Sequence, residues 1–319
     1  MISISLYWNH ICVLHRQEKA FLEKLTERLI PEGIRLSVRY FGLGYPMHMS
    51  EYLAQPDAEL PDLIVSADLE VFEDRRIFSR FSSSLFPVAD WLPLRQSDAL
   101  DAAMRDEHLL PFASIPLVYY TREPAFPETA TLPETAGGFD PSFFSLAFGG
   151  INNSAGKTII KAIWEQYGKE TAAAFLRSCL IADMPIGAYQ SVRTGKARTA
   201  LVPSLYAMRA DGREAFLRLP SEGPLLVSSY FCARASVPEA AARRVAEALI
   251  CPELCDFYAD SGDLILHPAC CIKHSRREAP HYFMPTSGFL RSLDPEEFYA
   301  LYTKYIPSAH DPFKMSVAD

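Results

Sequence analysis

The sequence predicts an α/β protein of two lobes, each a mixed, mostly parallel sheet flanked by helices, the two joined by hinge strands. Three observations carry that prediction. Strand and helix signals alternate as β-α-β-α-β through residues 1–67, an order that calls for parallel strands with right-handed crossovers. A second α/β series begins near residue 144. Between them, residues 113–123 (ASIPLVYYTRE) form an apolar and aromatic run with a polar exit at Glu123 and Pro124, as expected of a strand passing from one lobe to the other. The expected division is residues 1–115 plus 230–319 for the first lobe and 116–229 for the second. Lobes joined by extended segments enclose a cleft that closes on a small molecule, so binding is expected ahead of catalysis.

Each element has its own signal. Ile2–Tyr7 carries β-branched and large apolar residues and reads as the first strand. Residues 13–29 place Leu14, Phe21, Leu22, Leu25 and Leu29 on one helical face, closed by Pro31 and Gly33. Ile34–Phe41 alternates Ile34, Leu36, Val38 and Tyr40 as a second strand, with Gly42, Gly44 and Pro46 in the loop after it. Residues 61–67 (PDLIVSA) form a short buried strand with Asp68 at its carboxyl end.

Residues 124–142, rich in Pro, Thr and Gly, read as a loop. Phe144–Phe148 is the next strand, followed by GGINNSAGK and by helices over 155–168, 170–179 and 186–195. Ala197–Pro203 is a strand; Leu217–Leu219 and Leu225–Ala233 are extended, the latter being the return crossover. Pro238 stands at the start of a helix through Ile250, which continues over 256–262 after a break at Pro252. Residues 294–305 (DPEEFYALYTKY), acidic in the first turn and apolar behind, read as a last helix.

Composition removes several functions. A net charge of −8 without a basic run sets nucleic acid aside as a partner. No segment is apolar for the length of a bilayer span, so direct membrane insertion is not expected. MISISLYWNH reads directly as a strand rather than an export signal, which predicts a cytoplasmic protein, or one of the cell envelope if a leader preceded it. Seven cysteines at 12, 179, 232, 251, 255, 270 and 271 have no framework spacing and fit a reducing compartment as buried, inert thiols. No nucleophile-elbow, zinc-protease, P-loop or dinucleotide motif is present, and no cofactor is expected. The cluster with reactive potential is Cys270 and Cys271 with His267 and His274, a nucleophile-plus-base or metal arrangement. It supports the alternative of a cytosolic enzyme or ligand sensor on the same fold.

In open α/β sheets ligands bind beyond the carboxyl ends of the strands. The first strand ends at Trp8, Asn9 and His10, and the third at Ser66 and Asp68 with Glu70 just after. In the second lobe, Asn152, Asn153 and Ser154 precede a helix, where free backbone N–H groups favour an anion, and Tyr206 follows the strand ending near Pro203. Each has a structural alternative. Asn152–Ser154 serves equally as a helix cap, Asp68 as a cap for the helix after it, His10 as a satisfied core residue and Trp8 as core. The expected partner is a small-molecule or anion ligand, with the chain itself a monomer.

The order of segments resembles a known family. LYWNH closing the first strand, PDLIVSADLEVFED, IPLVYYTRE, SLAFGGINNSAGKTIIKAIWEQYG, GKARTALVPSLYA, and EGPLLVSSYFCARAS followed by a helix and SGDLILHP are similar to successive segments of type II periplasmic binding proteins. The likeness is to the ABC-transporter solute-binding branch containing ferric-iron, polyamine, thiamine and phosphonate binders, and it covers most of residues 1–268. It implies a non-catalytic protein that captures a small molecule or ion in a cleft between lobes by hinge closure, with an ABC-transporter component in the membrane as downstream partner. The ferric-iron members use a His after the first strand, an acidic residue after the third and Tyr residues in the second lobe. His10, Glu70 or Asp68, and Tyr206 fall in comparable places. Where those members resemble a Tyr–Tyr pair this chain has Leu205–Tyr206, so one phenolate is missing and a small organic or anionic ligand is favoured over iron.

Overall fold

Along β1 (Ile2–Asn9), Ile4, Leu6 and Trp8 face one way into a single core, the period-two pattern of a strand with helices against one side. The structure is a computed structural model describing residues 1–11, 14–42, 44–126, 130–137, 139–140, 143–261, 263–265, 279–306 and 308–313. Its described residues form two compact units, one from Met1–Ser114 and Ser228–Arg276, the other from Ile115–Val227 and Arg277–Lys314.

In the first unit, α1 (His15–Leu29) follows β1 and buries Phe21, Leu22, Leu25 and Leu29 on the core; Gly33 then turns the chain into β2 (Ile34–Phe41). Next come α2 (Met49–Ala54), β3 (Leu63–Ser66), the single-turn helices α3 (Glu70–Glu73) and α4 (Arg75–Phe78), and α5 (Asp98–Ala103). β1 lies between β2 and β3, parallel to both, with Ile2 opposite Ile34 and Leu6 opposite Leu63. Asp62 fastens the start of β3 to the middle of β1 by accepting from Ser5 N and Ser5 Oγ, each at 2.8 Å.

The twelve-residue β4 (Leu110–Thr121) crosses into the second unit after Ser114. There follow α6 (Leu132–Thr135), β5 (Phe139–Asp140), β6 (Phe143–Gly149), α7 (Ser154–Tyr167), α8 (Lys169–Ser178), β7 (Leu180–Ala182), α9 (Pro185–Arg193), β8 (Ala197–Pro203), α10 (Ser204–Ala207) and β9 (Phe216–Arg218). β6 is parallel to β8 and β7, whereas the second half of β4 runs antiparallel between β8 and β9. The short α6 falls inside what the sequence reads as loop. Its capping box, with Thr131 Oγ1 accepting from Glu134 N and Glu134 Oε2 accepting from Thr131 N at 2.8 Å, specifies it without any apolar periodicity.

β10 (Leu225–Ala233) returns to the first unit after Val227, and its second half pairs antiparallel with β3. At this crossing the Ser114 and Ser228 hydroxyls bond at 2.8 Å, buried. α11 (Glu239–Leu249), α12 (Pro252–Asp260) and β11 (Leu264–Ile265) complete the first unit. The helix breaks at Ile250 and Cys251, and Pro252 opens α12 at its first position, where its missing N–H costs nothing.

α13 (Ser287–Ser292) and α14 (Pro295–Tyr305) belong to the second unit, which corrects the expectation that all of residues 230–319 join the first. The reason is aromatic packing of α14 on α7. Tyr302 Oη donates to Ile151 O at 2.9 Å, and Lys157 Nζ donates to Tyr299 Oη at 3.3 Å. Phe298, Tyr299 and Tyr302 are buried. No described helix is long and apolar enough to cross a membrane.

Candidate functional site

Parallel pairing brings the carboxyl ends of β1, β2 and β3 to one edge of the first unit's sheet, where Asn9 lies opposite Phe41. Gly42 turns the chain there with φ +98°, and a Cβ at that position would stand 3.3 Å from His10 O. His10 is buried, and its Nδ1 lies 2.7 Å from Glu18 Oε2. The same carboxylate accepts from Ile11 N at 3.1 Å and, through Oε1, from Tyr258 Oη at 2.6 Å. Burial, with the Glu18 charge beside it, holds the Tyr258 phenol well above its ordinary value, so it remains a donor. Tyr40 and Tyr45 stack near the imidazole, ring centroids 4.9 and 5.6 Å away. Burial is also the first cause of the rise at Tyr40, whose phenol is pushed up to about 12.

At the end of β3 the polar groups serve the chain itself. Ser66 Oγ accepts from Asp68 N at 2.9 Å, and Asp68 Oδ2 accepts from Ser50 N at 2.9 Å, closing the first turn of α2. The structural alternative to a ligand contact at Asp68 is a cap on the helix after it; its carboxylate instead accepts from the first turn of the helix before it. Glu70 opens α3 and is buried. Trp8 lies in the core, and its indole Nε1 is buried without a hydrogen-bond partner among the described residues, as are Asn9 Oδ1 and His10 Nε2.

The second unit has its own edge, formed where β6, β7 and β8 end in parallel. Gly150 N donates to Ala182 O and Asp183 O, each at 3.2 Å, which aims the following turn into α7. Asn153 Oδ1 accepts from Ala155 N at 3.0 Å as the helix cap, and Ser154 is buried at the first helical position. Asn152 is held by the C-terminal segment: its Nδ2 donates to Ser308 O at 3.1 Å, and its Oδ1 accepts from His310 N at 3.3 Å. The amide expected to face an anion therefore binds backbone. Tyr206 is buried beside Tyr189, centroids 6.0 Å apart, and the exposed Arg209 lays its guanidinium over both rings at 5.5 and 5.6 Å. Tyr120 packs against Tyr189 at 4.7 Å, and burial raises its phenol above the usual value.

Sequence reasoning passed over Glu18, Tyr258 and Arg209. For Glu18 the signal was available: position 18 lies on the helical stripe of Leu14, Leu22, Leu25 and Leu29, so its carboxylate had to find buried donors. Tyr258 and Arg209 are joined to the site only by tertiary packing. Among the described residues no group of three or more His, Cys, Asp or Glu side chains is placed to hold a metal ion. The described cysteines 179, 232, 251 and 255 form no disulfide, and burial raises the thiols of Cys179 and Cys232. His267, Cys270, Cys271 and His274 lie outside the described residues.

No protein-family model matches the chain, and no curated protein does. Solved structures match it along nearly its whole length. The ferric binding protein from Campylobacter jejuni gives a TM-score of 0.68 at 13% identity, covering 95% of this chain and 99% of that one. Iron-bound HitA from Pseudomonas aeruginosa gives 0.63 at 15% identity, covering 96% and 99%. The substrate binding protein of the ABC transporter from Agrobacterium tumefaciens gives 0.59 at 13% identity, covering 96% and 94%. The fold is that of a type II periplasmic binding protein. Identities this low establish the fold and leave the ligand to this chain's own side chains. Within this binding-protein fold, both edges are built from parallel strand ends, the position from which α/β sheets present groups to a ligand.

Proposed function

We propose that the chain is a non-catalytic solute-binding protein of ABC-transporter type, which captures a small organic molecule or anion between its lobes by hinge closure. The observation that carries this reading is the pair of long strands, β4 and β10, each running unbroken from one unit to the other. Two extended connections permit a bending motion while leaving each unit's core intact. The fold shared with ferric-iron and ABC-transporter binding proteins supports the same reading.

The contact residues we propose are Trp8, Asn9, His10, Ser66, Asp68 and Glu70 in the first unit, and Asn152, Asn153, Ser154 and Tyr206 in the second. They do not contribute equally. His10 and Tyr206 are the leading candidates, because Asp68, Ser66 and Asn152 already bind the chain's own backbone. Leu205 beside Tyr206 leaves a single phenol where a hard trivalent ion would favour two, which supports an organic or anionic solute over iron. The downstream partner is a transporter component in the membrane, and the chain acts as a monomer.

Native mass spectrometry of the purified protein, set beside its denatured mass, tests this reading. We expect an excess of hundreds of daltons, on the scale of an organic solute. An excess of tens of daltons would replace the organic solute by a metal ion. Failure to retain any solute, with no uptake from a metabolite extract, would overturn the reading.

A further inference from the structure

His10 is more than a polar residue at a strand end. Its imidazole is held by Glu18 from α1, whose carboxylate is held in turn by Tyr258 from α12, and by the rings of Tyr40 from β2 and Tyr45 from the loop after it. His15 meets it edge-on, with centroids 6.3 Å apart. The side chains of His10 and Glu18 are fully buried. The other ring nitrogen, Nε2, is buried and has no hydrogen-bond partner among the described residues.

We propose that Glu18, steadied by the Tyr258 hydroxyl, is a positioning residue that holds His10 in the Nδ1–H tautomer, so that Nε2 offers a lone pair to a hydrogen-bond donor, a hydroxyl or ammonium group, on the bound solute. The inference rests on the solute-binding reading and narrows its chemistry.

The argument is one of donor and acceptor supply. An ionised carboxylate only accepts, and Glu18 already accepts from the Tyr258 hydroxyl at 2.6 Å and the Ile11 amide at 3.1 Å. Its third neighbour, His10 Nδ1 at 2.7 Å, must therefore be the ring nitrogen that bears hydrogen. That leaves Nε2 as the lone-pair atom. Protonating it as well would place a charged N–H in a buried position with no acceptor, the costliest way to leave a polar group. A bare lone pair is the cheaper orphan, and a donor from the solute satisfies it. An imidazole whose other nitrogen is given to a carboxylate has a fixed tautomer and orientation. The Tyr258 hydroxyl keeps Glu18 from rotating away, and the stacked tyrosines keep the ring in its plane.

This assigns a chemical preference to the first unit's edge. The solute group meeting His10 is a donor; a bare anion would meet a lone pair and be repelled. Any anionic group of the solute is then held elsewhere.

Long-range 1H–15N correlation of the uniformly 15N-labelled full-length protein at about pH 7 reads the tautomer directly. The expected His10 pattern is a pyrrole-type Nδ1 and a pyridine-type Nε2. Glu18→Leu removes the acceptor and should move the pattern toward the Nε2–H form, whereas Tyr258→Phe should keep the Nδ1–H form. Tyr230→Phe, which deletes another buried phenol bond of the first unit (to Ala103 O, 2.5 Å), controls for loss of stability and should change nothing at His10. Titration with ammonium chloride, a donor-only probe, should shift Nε2; sodium phosphate should not. An Nε2–H or doubly protonated ring in the wild type would overturn the proposal, as would a Glu18→Leu pattern identical to wild type. A response to phosphate in place of ammonium, or to neither, would overturn it too. The tautomer is read on the protein alone and solute retention by mass, so the two readings fail separately.

Discussion

Asp62 shows how single side chains tie this sheet together. Its carboxylate accepts from Ser5 N and Ser5 Oγ at 2.8 Å and from Ser236 Oγ at 2.6 Å. Burial alone would raise its pKa, but these bonds, with Arg234 nearby, outweigh burial and hold it below the ordinary carboxylate value. A carboxyl lowered in the folded state stabilises the fold above its unfolded value of about 4, and that contribution is lost as pH falls through the folded value. Urea midpoints measured from about pH 5 downward should therefore drop more steeply for the wild type than for Asp62→Asn. Parallel curves would show that Asp62 contributes nothing of this kind. At this scale the sequence was only partly readable. His10 and Tyr206 stood out as polar residues after strands, but their surroundings did not. Glu18 is eight residues from His10 and was visible as an acid on an apolar stripe, whereas Tyr258 is 240 residues from Glu18 and no local pattern points to it.

Among the elements, the strands were legible because burial on one face imposes period two. β2, β8 and β10 have the bounds their alternation or apolar run suggests. The short helices were not, because caps rather than periodicity define them. α2 has its first turn closed by Asp68, eighteen residues downstream of Ser50, and α5 is capped by Ser97 Oγ, which accepts from Leu100 N at 3.2 Å. The turn into α7 depends on Gly150, whose φ is +95° and whose missing Cβ leaves room for the Asn153 side chain. An added methyl would stand 2.1 Å from Asn153 Oδ1, the atom that caps α7. Gly150→Ala should cost more than about 1 kcal/mol, from backbone strain together with the disturbed cap. Denaturant unfolding at the wild-type midpoint would show otherwise. The anion site expected at Asn152–Ser154 belongs to this scale as well. A helix start looks the same in sequence whether a ligand or the chain's own tail meets it, and here Asn152 binds Ser308 and His310.

For the whole molecule, the two-unit α/β plan was readable because its signals are long: successive strand–helix units and two apolar segments that cross between units. The assignment of the tail was not. Residues 294–305 announce an amphipathic helix, but amphipathicity says which face is buried and not against what; α14 finds α7 through Tyr299 and Tyr302. The functional account depends on the units moving about β4 and β10 when a solute binds, a change that intact mass does not report. Small-angle X-ray scattering does. With the solute identified by native mass spectrometry at saturating concentration, the account predicts a smaller radius of gyration than for the solute-free protein, as hinge closure of a two-domain chain requires. It also predicts that the solute is recovered unchanged. An unaltered radius of gyration at full occupancy, or conversion of the solute to a product, would contradict capture by closure.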